Sequence, residues 1–198
     1  MFGGALGIAA SMFEVRAKEV AHKAMKKFAV FAGGCFWCMQ PPFDQLDGVL
    51  NTEVGYAGGH MDNPTYQQVC AGQSGHVEAI RVCYETDKIS YTDLLDVFWG
   101  NIDPTQSDGQ FADRGEHYHS VIFYDGDGER CMAEASKTSL QKSGKFNGDI
   151  ATELRSLGLF YAAEDYHQNF YKKNNAHYEA YKKGSGRQNF IEQQWLKQ

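Results

Sequence analysis

The sequence predicts an α+β fold: a ferredoxin-like split βαβ sandwich with additional helices and a long irregular C-terminal tail. Three observations predict it. Strand-like and helix-like stretches follow one another in the order strand, helix, strand, strand, helix, strand, the order of a split βαβ sandwich. The chain has 198 residues, 42% of them hydrophobic, which is enough for one sizeable core. No internal repeat, low-complexity tract or shift of composition divides it. Residues 27–198 are therefore expected to form a single domain, preceded by a helical arm or tail over residues 1–26.

Each element has its own local reason. SMFEVRAKEVAHKAMKK, residues 11–27, has no proline or glycine and is rich in helix formers, which predicts a peripheral helix. KFAVFA, residues 27–32, is a short apolar run of strand formers stopped by Gly33 and Gly34, as a buried strand would be. FWCM then starts a helix that Pro41 and Pro42, which lack amide donors, are expected to kink. NTEVGYAGG and VEAIRVCYE alternate in part like strands, and a short helix is expected between them from Pro64. SYTDLLDVFWGN opens on a serine cap and sets Leu94, Leu95, Phe98 and Trp99 on one helical face. HSVIFYD supplies the fourth strand, and GERCMAEASKTSLQKSG a helix ended by Gly144. The remainder, from FYAAEDYHQNFYKKN to RQNFIEQQWLKQ, is aromatic, polar and irregular, and is expected to wrap the core.

Composition narrows the function classes. A formal net charge of −6 without any lysine-arginine cluster leaves no basic field for a phosphate backbone, so nucleic acid is not an expected partner. MFGGALGIAASMF is weakly apolar, too short to span a bilayer and has no positive residue ahead of it. It reads as a frayed tail before a remnant of an export signal. A monomer without a membrane partner is expected, in the cytoplasm, with an exported form as the alternative. The five cysteines, Cys35, Cys38, Cys70, Cys83 and Cys131, are an odd number without the regular spacing of a disulfide-stapled scaffold, which suits a mostly reduced protein.

The chemistry concentrates in GGCFWCMQPPF. A C-x-x-C pair serves as a redox couple, as half of a zinc site, or as a nucleophile beside an incidental thiol. Cys35 follows a strand and two glycines and opens a helix, where amide donors and the helix dipole favour a thiolate. Cys38 lies one helical turn on, and a disulfide across i to i+3 is feasible with some strain. Zinc needs about four ligands; no second C-x-x-C exists, although His117 and His119 could contribute. Cys70 is the reserve partner for a disulfide. Glu78 shares an alternating strand face with Ile80 and Val82; buried there it would have a raised pKa and act as an acid, while at a strand start it could equally be exposed. Tyr66 and Tyr118 can donate to an oxygen without carrying charge, and Asp113 either caps a turn or orients a substrate amide.

Six ordered blocks, GGCFWC, GYAGG, NPTYQQVCAGQSGHVEA, NIDP, FADRGEHYHS and AEDYHQ, resemble the A-type peptide methionine sulfoxide reductases over residues 27–173. The resemblance implies that Cys35 attacks the sulfur of methionine S-sulfoxide, free or in proteins, and that Phe36 and Trp37 line the pocket for the S-methyl group. It implies that Glu78 protonates the sulfoxide oxygen, that Tyr66 and Tyr118 hydrogen-bond it, and that Asp113 positions the substrate. A sulfenic acid at Cys35 would be resolved by Cys38 and recycled by a thioredoxin-like reductant, with no bound metal or organic cofactor. Many members instead resolve through cysteines in a glycine-rich tail, and this tail has none. Gln40 also departs from the family pattern GCFWxxE. Two other readings remain open at this stage: a general disulfide oxidoreductase using Cys35 and Cys38, and a non-catalytic binder of oxidised proteins.

Overall fold

The computed structural model describes residues 25–196. The arm expected over residues 1–26 lies outside them except at its end, where Lys26 and Lys27 belong to a strand and not to a helix. The elements run β1 (Lys26–Gly33), α1 (Phe36–Asp44), β2 (Val49–Ala57), α2 (Tyr66–Cys70), β3 (Val77–Glu85) and α3 (Tyr91–Trp99). A small pair, β4 (Gly109–Gln110) and β5 (Asp113–Arg114), precedes a 3-10 turn at Glu116–Tyr118, then β6 (Ser120–Tyr124) and α4 (Gly126–Lys142). The last fifty residues give β7 (Glu153–Ser156), β8 (Phe160–Ala162), α5 (Phe170–Lys173), α6 (Asn175–Gly184) and α7 (Arg187–Ile191).

Six strands form one mixed sheet in the order β7-β6-β1-β3-β2-β8. Every neighbouring pair is antiparallel except β6 with β7. Because β3 is antiparallel to both β1 and β2 and lies between them, β1 and β2 point the same way, joined by α1 and separated by β3. The expectation of a long irregular tail is corrected here: one edge strand, β8, three short helices and a π-helical turn at Glu192–Leu196 are built from it. Its helices are short and interrupted, so the helical period is broken before it can run through the segment.

Alternation along β1 explains its unbroken apolar run. Phe31 faces the helices and stacks on Phe43 of α1 at 5.4 Å and on Phe98 of α3 at 5.4 Å. Val30 and Ala32 face the other way, into a second cluster with Val77, Ala79, Val121 and Phe123. From Ala29 onward both faces are dry, so no position there calls for a polar residue, whereas Lys26, Lys27 and Phe28 are exposed. β3 keeps the same phase: Ile80 and Val82 join Phe31 on the helical face, and Glu78 must follow them. α2 and α3 start where capping boxes begin, Thr65 with Gln68 and Ser90 with Asp93. α1 passes through Pro41 and Pro42 and continues to Asp44. The two missing amides leave the Trp37 and Cys38 carbonyls without their usual helical donors, and the burial of Phe36, Met39 and Phe43 holds the helix regardless.

Candidate active site

The turn between β1 and α1 fixes the first reactive group. Gly34 has φ 76°, and a Cβ there would meet Gln110 Cβ at 2.5 Å and Arg187 Nη2 at 2.9 Å. Only glycine fits both the left-handed backbone and the space. The chain then enters α1 with Cys35 as N-cap, without a side-chain capping bond. Instead, Phe36 N–H donates to Glu78 Oε2 at 3.0 Å. A carboxyl from the middle of the sheet thus caps the helix that carries the thiol.

Glu78 is 1% exposed. Burial drives its pKa up to about 8 against the lowering bond from Phe36 N–H, so it holds a proton at neutral pH. Of the two readings open for this residue, the structure takes the buried one. Cys35 and Cys38 are also buried, at 4% and 2%, and Cys38 N–H donates to the Cys35 carbonyl at 3.0 Å, which sets the two thiols in one helical turn. Burial, then Cys38 and Glu78, hold the Cys35 thiol well above its ordinary range. The neighbouring Cys35 thiol holds Cys38 down against its own burial, with Arg187 adding to the effect. The thiolate expected at Cys35 from its place at a helix start therefore differs from the resting arrangement. The first free amide of the helix serves Glu78, and desolvation outweighs the dipole.

Tyr66 and Tyr118 converge on this pair. Each lies within electrostatic reach of both Glu78 and Cys35, and burial pushes both phenols well above their usual range. They remain neutral donors. Tyr66 opens α2, and its backbone N–H is held by Glu164 Oε1 at 2.9 Å, while Glu164 Oε2 accepts from Tyr56 at 2.7 Å. Asp113 does not cap its own turn. It accepts from the hydroxyl of Tyr181, a side chain that also lies within electrostatic reach of Cys35.

The two aromatics of the C-x-x-C motif part company. Phe36 is 1% exposed and packs on Tyr56 and the ring of His167. Trp37 is half-buried, stacks on Phe170 at 3.8 Å with an interplanar angle of 10°, and meets Tyr181 edge-on. Its indole N–H donates to His167 Nδ1 at 3.1 Å, which puts the neutral ring's proton on Nε2. The cup expected of the pair is completed by the C-terminal segment. Tyr181, Phe170, His167 and Glu164 were assigned no role from sequence. AEDYHQ marked two of them as part of a pattern, and the three-residue spacing of Tyr178 and Tyr181 in α6 is the one signal for the others' face.

Gln40 is fully buried, its amide donating to Thr52 Oγ1 at 3.1 Å and accepting from Asn169 N–H at 2.9 Å. Cys70 lies beside Tyr66 at the edge of the site, whereas Cys83 lies out on β3 and Cys131 is exposed on α4. His117 packs on Tyr118, and His119 turns toward Glu153 at 3.7 Å. Among the described residues no group of three or more His, Cys, Asp or Glu side chains could hold a metal ion, and no helix is long and apolar enough to cross a membrane.

The family model described as peptide methionine sulfoxide reductase matches residues 27–198. "Peptide methionine sulfoxide reductase MsrA" of Bacillus subtilis is 51% identical over 170 residues, covering 86% of this chain and 96% of its own. Its namesake in Bacillus licheniformis is 49% identical over 170 residues, 86% of this chain and 94% of its own. Among solved structures, reduced Mxr1 of Saccharomyces cerevisiae superposes with a TM-score of 0.71 at 32% identity, over 76% of this chain and 86% of that one. Mxr1 is also known in complex with Trx2, a form that matches with a TM-score of 0.53 at 24% identity over 73% and 84% of the two chains.

Proposed function

The chain belongs to the A-type peptide methionine sulfoxide reductase family and is an oxidoreductase acting on methionine sulfoxide, and from that premise we propose that Cys35 attacks the sulfoxide sulfur while Glu78 gives a proton to the departing oxygen. One observation carries this reading: a buried thiol and a buried, proton-holding carboxyl meet at the same helix start, through Phe36 N–H. A sulfoxide sulfur becomes a good electrophile only as its oxygen gains a proton or strong hydrogen bonds. Tyr66 and Tyr118 supply two such bonds, Asp113 positions the substrate, and Phe36 and Trp37 form the apolar wall for the S-methyl group.

The first step balances without any other reactant. Thiol plus sulfoxide gives sulfenic acid plus thioether; the oxygen moves to Cys35, whose sulfur is oxidised by two electrons as the methionine sulfur is reduced. Cys38 then condenses with the sulfenic acid to form a disulfide and release water. Their burial in one helical turn, with Cys38 N–H bonded to Cys35 O at 3.0 Å, supports Cys38 as the resolving thiol. A thioredoxin-like dithiol returns the pair to the reduced state. Residues 27–198 act as one catalytic domain around a ferredoxin-like split βαβ core, a reading supported by the strand order β6-β1-β3-β2.

Turnover with dithiothreitol on separated sulfoxide epimers tests the assignment. We expect reduction of the S epimer alone, lost in Cys35→Ser. After one equivalent of sulfoxide, the Cys35–Cys38 peptide should lose about two mass units as the disulfide closes. Equal use of both epimers, or activity surviving Cys35→Ser, refutes the reading. Insulin reduction without sulfoxide turnover would favour a general disulfide oxidoreductase.

A further inference from the structure

Arg187 is the least expected residue of the interior. It opens α7, near the end of a segment expected to wrap the surface, yet it is 1% exposed. Its Nη2 donates to Gly33 O at 2.7 Å and its Nη1 to Asn101 O at 2.6 Å. Nη1 also contacts the sulfur of Met39 at 3.5 Å, and the guanidinium lies over the Phe111 ring at 4.6 Å. Among the described residues it forms no ion pair. All its partners are neutral.

A buried guanidinium keeps its charge at any accessible pH, and a desolvated cation without an anion is unfavourable unless something close by supplies the compensation. Gly33 is two residues before Cys35, and Met39 is the residue after Cys38. The cation therefore sits beneath the turn that carries both sulfurs. We propose that Arg187 is the counter-charge of the Cys35–Cys38 pair, delivered by the C-terminal segment to the base of the turn so that one sulfur can ionise inside a dry site. The inference rests on the reading of these cysteines as the redox pair.

The surroundings are consistent with it. The charged and titratable groups facing the pair are Tyr66 from α2, Glu78 from β3, Asp113 from β5, Tyr118 from the 3-10 turn, Tyr178, Tyr181 and Lys182 from α6, and Arg187 from α7. Glu78 and Asp113 oppose a second negative charge. Arg187 is the cation with the greater influence on Cys38, ahead of Lys182. It also favours the ionised form of Glu78, but there burial prevails. Arg187 thus favours the ionised form of Cys38 while burial keeps the proton on the acid, and it acts as a positioning residue that touches no substrate.

The alternative is a purely structural clamp on two carbonyls, and the pH dependence of thiol alkylation separates the two. Iodoacetamide incorporation at the Cys35–Cys38 peptide is followed by mass against pH in the reduced protein, with no sulfoxide present. We expect Arg187→Gln to raise the midpoint by about one unit, slowing alkylation at neutral pH by about tenfold, and Arg187→Lys to restore most of the loss. Phe111→Asp leaves the arginine in place and gives it an anion. Its φ of 59° suits aspartate and asparagine, so it should shift the midpoint the same way while Phe111→Asn does not. A midpoint unmoved in Arg187→Gln overturns the proposal, as does one unmoved in Phe111→Asp should the first variant fail to fold in a thermal melt. Parent turnover of sulfoxide is a separate measurement. If it is absent while the midpoint shifts, the catalytic reading fails and the electrostatic one stands.

Discussion

The active site has two walls, and they are held by different means. The inner wall, with Cys35 and Glu78, hangs on β1, β3 and the start of α1, where backbone ladders fix each position. The outer wall, residues 160–191, is fastened mainly by side chains. Gln168 grips Val54 through both its amide atoms, accepting at 3.0 Å and donating at 2.8 Å. Glu164 ties Tyr56 and Tyr66, Asn169 rests on Gln40, and Tyr181 reaches Asp113. The difference teaches a division of labour. On the proposed mechanism the inner wall holds the groups that exchange bonds and protons, whereas the outer wall sets their burial, and through burial their ionisation.

If the division holds, damage to the inner wall should cost far more than damage to the outer. Glu78→Gln removes the proton donor but keeps an acceptor for Phe36 N–H. It should lower kcat/KM by about 10² to 10⁴-fold. In the parent, Glu78 is protonated below about 8, so activity should fall as pH rises through that value, and the variant should lack this limb. Stability follows the same proton. Between its unfolded value near 4.5 and about 8 the folded form binds it more tightly, so parent stability should decline as pH rises across that window and Glu78→Gln should flatten the decline. Denaturant titrations at several pH values read this directly.

The tyrosines come next. Tyr66→Phe and Tyr118→Phe each remove one donor to the developing charge on oxygen, and each should reduce kcat by about 10²-fold while leaving KM nearly unchanged. Tyr181→Phe belongs to the outer wall. Losing its bond to Asp113 removes on the order of 1 kcal/mol, so kcat/KM should fall by about fivefold. A loss at Tyr181 as large as that at Tyr66 would break the comparison, because Tyr181 would then belong to the bond-making set.

Legibility follows the same line. The four central strands, α2, α3 and the inner-wall residues could be read from the sequence because a strand-turn-helix or a capped amphipathic helix is a local pattern. Cys35, Glu78, Tyr66 and Tyr118 meet as the motifs suggested. What could not be read depends on contacts between distant segments. Arg187 is 154 positions from the carbonyl it binds, and nothing in GSGRQNF distinguishes it from a surface arginine. The burial that raises the Cys35 thiol's pKa is hidden for a related reason: a helix start is visible in sequence, but Glu78 arriving from 42 residues away to use its first amide is not. The tail was misread as irregular because its short helices are fixed by the wall they cover.

Gln40 lies where the two walls join, which makes it the finest test of the comparison. Thr52 spends its hydroxyl proton on Asp44, so its oxygen requires a donor, and the Gln40 amide provides one at 3.1 Å. Gln40→Glu keeps the acceptor for Asn169 N–H but can satisfy Thr52 only while protonated. Ionised, it would face a lone pair and the nearby Asp44 without a proton between them, an unsatisfied burial of about 1–3 kcal/mol. The variant should therefore match the parent's melting temperature in acid and fall progressively below it toward alkaline pH. At neutral pH its activity should stay within about twofold of the parent, since no bond of Gln40 reaches the sulfurs. A large gain of turnover in Gln40→Glu would mean that this position governs Cys35 directly, and the boundary between the walls would have to move inward past it.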